Sequence, residues 1–167
     1  MNSKNLESYL GLSTQFYDLI RPEAPENAYS FYRSYASEAN GKTLEPMCGS
    51  GRFLIPLVEE GFDVSGFDAS EYMLKALQDK AASKNLHPKI WHDYVGHLDG
   101  KVKYNLIFIP GGSFGHIIEF EEIRKSLDED EVLPPGQLLD VPCSTGGRDF
   151  FLIFRGTPKS LDTGVII

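Results

Sequence analysis

The sequence predicts an α/β domain: a mostly parallel sheet flanked by helices, with N-terminal helices before it and a shortened C-terminal part after it. Three observations lead there. After Gly41, short strand-like stretches alternate with helical ones. A glycine-rich turn, Gly49-Ser50-Gly51, joins the first strand to a helical stretch. The run from Asn105 to Ile109 is apolar after its first residue, as a strand covered on both faces should be. A chain of 167 residues fits one domain and can bury a real core without staples.

The elements follow in order. Residues up to about Asn40 form an N-terminal helical cap, 1–40, and residues 41–167 the α/β part of the same structural unit. In the cap, Phe16, Tyr17, Leu19 and Ile20 offer apolar contacts before Pro22 and Pro25 interrupt. A second helix carries Tyr29, Phe31, Tyr32, Tyr35 and Ala36, as a packing face or as the wall of a pocket. Thr43 to Glu45 is the first strand. Arg52 to Glu60 is a helix with Phe53, Leu54, Leu57 and Val58 at core spacing, Pro56 near enough to its start to be tolerated, and Gly61 at its end. Asp63 to Asp68 is the second strand. Ser70 caps the next helix, which turns Met73, Leu74 and Leu77 inward. Lys89 to His92 and Asn105 to Ile109 are the third and fourth strands. Glu121 to Asp130 is a polar helix, Gln137 to Val141 a fifth strand, Phe150 to Phe154 a candidate sixth, and Gly164 to Ile167 a stub of another.

Composition narrows the function. Hydrophobic residues make up 41% and charged residues 24%, the balance of a soluble globular protein. Sixteen basic against 24 acidic residues give a net charge of -8, which disfavours a nucleic-acid partner. Cys48 and Cys143 lie far apart and form no metal-ligand spacing; both read as reduced thiols of a cytoplasmic protein, and no metal is expected. No apolar run approaches the roughly 18 residues of a membrane span, and the N-terminus lacks the apolar core of a signal peptide. The oligomeric state is not legible.

Ligands of such sheets bind beyond the carboxyl ends of the strands, where strand order reverses. Three features fall there. Glycines at 49 and 51 let the backbone approach a ligand closely, although structural turns use the same residues. Asp68 ends the second strand about 17 positions after Gly51, near the roughly 20 expected of an acid that binds ribose hydroxyls. A carboxylate can accept both hydrogen bonds of a vicinal diol; the alternative is a helix-start acid beside Ser70. Asp93 follows the third strand, where an acid can accept from the exocyclic amine of adenine or simply sit on a surface loop.

The nucleotide can be narrowed. A dinucleotide fingerprint places a third glycine where this chain has Leu54, whose bulk opposes close helix–strand packing around a pyrophosphate. Glu45, at the end of the first strand, would repel a pyrophosphate and suits a ligand bearing an ammonium group and a sulfonium.

The stretches Leu-Glu-Pro-Met-Cys-Gly-Ser-Gly-Arg (44–52), Gly-Phe-Asp-Ala-Ser-Glu-Tyr-Met-Leu (66–74) and Asn-Leu-Ile-Phe-Ile-Pro-Gly-Gly-Ser-Phe-Gly-His (105–116) resemble the class I S-adenosylmethionine-dependent methyltransferases, over about Tyr17 to Val141. The resemblance implies a Rossmann-like fold and S-adenosylmethionine as cofactor. It implies that Glu45, Met47, Gly49 and Gly51 hold the methionine part, Asp68 the ribose, and that Ala69 and Met73 lie near the adenosine. Asp93 and Tyr94 would flank the adenine, Pro110 to Ser113 would lie under the sulfonium and substrate, and Tyr17 would reach the cofactor carboxylate. Met47 departs from the usual first glycine and Asn105 from a common aspartate. The family's helix after the fifth strand has no room in Pro142 to Gly147, so the chain reads as abbreviated at its C-terminus.

The expected reaction is methyl transfer from S-adenosylmethionine to a small-molecule acceptor. Ile109 to Ser113 lacks the Pro-Pro-aromatic element of methyltransferases that act on amines of nucleic-acid bases. The alternatives are a cofactor-binding domain without turnover and a nicotinamide-dependent oxidoreductase. His116 is a weak candidate general base, because histidine titrates near neutral pH; His92 and His97 are weaker.

Overall fold

The structure, a computed structural model, describes residues 11–94, 102, 104–110, 137–142 and 148–155. Helices α1 (Gly11–Ile20) and α2 (Glu26–Ala39) lead into strand β1 (Thr43–Pro46), helix α3 (Leu54–Glu59), strand β2 (Val64–Asp68), helix α4 (Glu71–Ser83) and strand β3 (Lys89–His92). Strands β4 (Leu106–Ile109), β5 (Gln137–Pro142) and β6 (Arg148–Arg155) follow. The sheet order is β3-β2-β1-β4-β6-β5. The first four strands run parallel, in registers such as Leu44 opposite Ser65 and Ile107. The chain steps outward from β1 to β2 and β3, then crosses back to place β4 on the other side of β1. The strand order therefore reverses between β1 and β4, where such sheets bind ligands.

The last two strands break the parallel pattern. β6 inserts antiparallel beside β4, and β5 pairs antiparallel with β6 at the sheet edge. Chain length dictates this. Only residues 143–147 separate the two strands, whereas a parallel pair needs a crossover of a dozen or more residues. The expected helix over 121–130 and the stub over 164–167 lie outside the described residues.

The core forms where the helices meet the central strands. Tyr32 of α2 is fully buried, stacks on Phe108 of β4 at 4.9 Å between ring centroids, and meets Phe53 edge-on at 5.3 Å. The packing reading of the α2 aromatics therefore holds for Tyr32. Helix α4 buries Met73, Leu74, Leu77 and Ala81. Its N-cap is Ser70, whose hydroxyl accepts from the Met73 N–H at 3.3 Å, as its place in the sequence predicts. Pro56 is the third residue of α3, where its missing N–H leaves no helical bond unmade. Asn105 ties the start of β4 to β1: its side-chain oxygen accepts from the Lys42 N–H and its own N–H donates to the Lys42 carbonyl.

Helix α1 departs from its sequence reading. Leu12, Phe16, Leu19 and Ile20 face outward, Leu12 at 82% exposure. The side laid on the domain carries Gly11, Thr14, Tyr17 and Asp18; Asp18 meets Ser50 and Lys80, Tyr17 the Arg52 guanidinium, and Gly11 lies near the Tyr72 ring.

Candidate functional site

The turn after β1 is held in a backbone shape that few residues tolerate. Met47, Gly49 and Gly51 all have left-handed φ, at 56°, 54° and 83°. The two glycines are needed for different reasons. Among the described residues, a Cβ on Gly49 would meet only Met73 Sδ, at 4.0 Å, so they leave space beside this part of the turn. A Cβ on Gly51 would lie 2.7 Å from Leu77 Cγ and 2.9 Å from Ile55 Cγ1. Gly51 is thus demanded by packing against α4 and α3, and Gly49 leaves room for a ligand. Met47 holds its left-handed φ without a glycine's freedom, at a steric cost.

Strand β2 delivers Asp68 to the same place. Its Oδ2 accepts from the Gly49 N–H and its Oδ1 from the Ser70 N–H, both at 2.8 Å. One carboxylate therefore joins the glycine turn to the start of α4. Burial pushes the Asp68 carboxyl up; the N–H groups of Ser70 and Gly49 and the charge of His92 act against that rise. The helix-start role of Asp68 is real, and it coexists with a position facing the turn.

Glu45 lies inside the sheet, 1% exposed. Burial holds its carboxyl well above the usual range, the Arg52 charge pulls it down, and Asp68 pushes it further up. Its Oε2 has no hydrogen-bond partner among the described residues. Burial likewise raises the Cys48 thiol, with Glu45 and Asp68 adding to the effect. Arg52 spreads its guanidinium over the rings of Phe53 (5.2 Å) and Tyr17 (5.8 Å). Tyr17, on α1, is thereby brought to the turn.

At the end of β3, the Asp93 N–H donates to the Asp68 carbonyl at 3.2 Å, and the Asp93 side chain accepts from the Tyr94 N–H at 2.8 Å. Tyr94 is exposed. Ala69 is exposed too, and its carbonyl meets His92 Nε2 at 2.9 Å. Pro110 is buried at the end of β4. The structure thus gathers Tyr17, Glu45, Met47, Gly49, Gly51, Asp68, Ala69, Met73, Asp93 and Tyr94 around the carboxyl ends of β1, β2 and β3, with Pro110 at the end of β4. Ser113, His116 and His97 lie outside the described residues. Among the described residues, no group of three His, Cys, Asp or Glu is placed to hold a metal.

One argument from the sequence fails. Leu54 does not obstruct close helix–strand packing, because the glycine needed for it stands on the strand instead. A Cβ on Gly66 would fall 2.5 Å from Leu54 Cδ1 and 3.0 Å from Cys48 Sγ. Leu54 therefore carries no objection to a dinucleotide. Sequence reading also missed Asp18 and Ser50, whose side chains meet at 2.5 Å. The signal for Asp18 was its spacing of four from Thr14 on the polar side of α1.

The model of a family described as the methyltransferase domain matches residues 44–136. The chain belongs to this family, that of the class I methyltransferases. It is 28% identical over 116 residues to a provisionally named methyltransferase of Geobacillus sp. (strain WCH70), covering 66% of this chain and 47% of that one. It is 26% identical over 103 residues to the glycine/sarcosine N-methyltransferase of Aphanothece halophytica, covering 59% and 38%. The crystal structure of an S-adenosylmethionine-dependent methyltransferase from Clostridium acetobutylicum ATCC 824 superposes with a TM-score of 0.56 at 25% identity, covering 67% of this chain and 48% of that one. The chain thus spans about half the length of these relatives, or less. Among the described residues, no helix is long and apolar enough to cross a membrane.

Proposed function

We propose that this methyltransferase domain transfers a methyl group from S-adenosylmethionine to a small-molecule acceptor. The observation that carries the reading is the turn at Gly49, which the described residues leave open along the Gly49 Cβ direction and border with the carboxyl groups of Asp68 and Glu45. When bound, the cofactor supplies a methyl group on a positively charged sulfur that leaves as a neutral thioether.

The residues fit that group. Gly49 leaves room for the backbone to approach the methionine end. Glu45, buried with one unpartnered oxygen and held above its usual range, offers a carboxyl that an ammonium or sulfonium nearby would draw toward its charged form. The two carboxylate oxygens of Asp68 match a ribose diol; each has a second lone-pair direction beside its backbone bond. Tyr17 and Arg52 stand on the α1 side of the turn, where Tyr17 would meet the cofactor carboxylate. Ala69, Met73, Asp93 and Tyr94 would line the adenosine end, and Pro110 with Ser113 the sulfonium side. Because the leaving group is already activated, the chain's share of catalysis is alignment of acceptor, methyl carbon and sulfur, worth several kcal/mol. His116 is the candidate base where an acceptor must lose a proton.

The small acceptor is supported by the acidic balance of the chain and by the small amines named for the Aphanothece relative. Incubating the protein with methyl-labelled S-adenosylmethionine and separate pools of small amines, small carboxylates and hydroxyl compounds, tRNA, and protein tests it. Label entering a small-molecule pool is the expected result; label entering only tRNA or protein would reject the small acceptor.

A further inference from the structure

Helix α1 is fastened by polar groups to the turn that this reading assigns to the cofactor. Its large apolar side chains look outward, so little apolar contact holds it. Asp18 Oδ1 accepts from Ser50 Oγ at 2.5 Å and from Lys80 Nζ at 3.1 Å. Ser50 stands between Gly49 and Gly51 and is buried, and Lys80 belongs to α4. A single carboxylate oxygen therefore joins α1, the glycine turn and α4. One residue earlier, the Tyr17 ring lies 5.8 Å from the Arg52 guanidinium, directly after the turn. Asp18 also sits in the last turn of α1, where an acid opposes the helix dipole. Its place is explained by what it touches, not by helix stability.

We propose that Asp18 is a positioning residue for the cofactor turn: it fixes Ser50 between the two glycines and makes the docking of α1 and the binding of cofactor one coupled event. A turn with glycines at positive φ has many conformations open to it, and the anchored hydroxyl selects one of them. The Ser50 hydroxyl, buried, would otherwise lose its acceptor. By linkage, whatever α1 docking adds to cofactor affinity, cofactor returns to α1 docking. The proposal rests on the cofactor occupying the Gly49 turn.

The test is the affinity of S-adenosylhomocysteine, together with amide hydrogen exchange with and without it, in wild type, Asp18→Ala, Asp18→Asn, Lys80→Ala and Ser50→Ala. Asp18→Ala and Ser50→Ala should each weaken binding about tenfold, with no further loss when combined. Asp18→Asn should stay within about threefold, because its amide oxygen still accepts the Ser50 hydroxyl. Lys80→Ala should also stay within about threefold, since a half-exposed ion pair contributes little. In wild type the ligand should slow exchange in α1, and in Asp18→Ala it should not. If Asp18→Ala does not fold, Ser50→Ala reads the same contact. Wild-type affinity in both alanine variants, or equal slowing of α1 in Asp18→Ala, overturns the proposal. If wild type itself does not bind the ligand, the cofactor reading fails separately. The ligand-free exchange then decides: Asp18→Ala must speed exchange in residues 11–20 and 47–53 where Asp18→Asn does not, and unchanged exchange overturns the proposal.

Discussion

At the scale of single residues, the two carboxyl groups at the turn are expected to differ in what they do for stability and for binding. Asp68 should serve both. Because it accepts from Gly49 and Ser70, Asp68→Ala should lower stability by about 1–3 kcal/mol and weaken S-adenosylhomocysteine binding by about one to two powers of ten. Thermal melting and calorimetry on one preparation check both; lowered melting with unchanged affinity would leave Asp68 a purely structural acid. Glu45 should serve binding alone. Its carboxyl is raised above its ordinary value near 4.5 by burial. The folded state therefore holds a proton that the unfolded state has released. The sign follows: stability is fully kept below about 4.5 and declines as pH rises from there toward the folded value. Glu45→Gln removes that penalty. It should melt higher than wild type at pH 7, flatten the fall of stability above pH 4.5, and bind S-adenosylhomocysteine more weakly. Melting curves across pH, with a titration at pH 7, measure this; a variant that melts lower at every pH contradicts it.

At the scale of elements, the glycine turn and its neighbours separate space kept for packing from space kept for a ligand. Gly51→Ala drives a methyl group into Leu77 and Ile55 at positive φ, and should cost about 2–4 kcal/mol. Gly49→Ala meets no close contact among the described residues and should cost about 1 kcal/mol for its φ, yet it should lose most cofactor affinity. Denaturant midpoints and affinities on both variants would expose an error if their stability losses came out equal. Gly66 and Leu54 should behave as a coupled pair. Gly66→Ala strikes Leu54 and should cost about 1–3 kcal/mol, partly recovered in Gly66→Ala with Leu54→Ala. A double-mutant cycle reads the coupling, and additive losses would deny the contact.

These elements also show what could be read without a structure. The α4 cap and its inner face were legible because capping and helical periodicity are local. The fourth strand was legible because a buried parallel strand is an apolar run, and the first three because turn and helix signals bracket them. The outward face of α1 was not, since periodicity marks an apolar side without saying what it meets, and Asp18 found a better set of partners on the domain. The glycine on β2 that accommodates Leu54 was equally hidden, because a close approach between strand and helix joins residues distant in sequence.

At the scale of the whole molecule, the order β3-β2-β1-β4 sets the site by placing Glu45, Gly49, Asp68 and Asp93 at the carboxyl ends of adjacent strands. The antiparallel β6 and β5 extend the sheet on the far side of β4, away from the β1–β2–β3 residues that gather around the turn. Gly66 removes the objection to a dinucleotide drawn from Leu54, and the match to the methyltransferase domain carries the distinction. The most direct measurement is therefore a paired calorimetric titration of the folded protein with S-adenosylhomocysteine and with NAD, each accompanied by a melting curve. S-adenosylhomocysteine should bind and raise the melting temperature, because a ligand selective for the native state stabilises it by mass action, and NAD should do neither. A folded sample that ignores S-adenosylhomocysteine at millimolar concentration, or that binds NAD instead, would contradict the account.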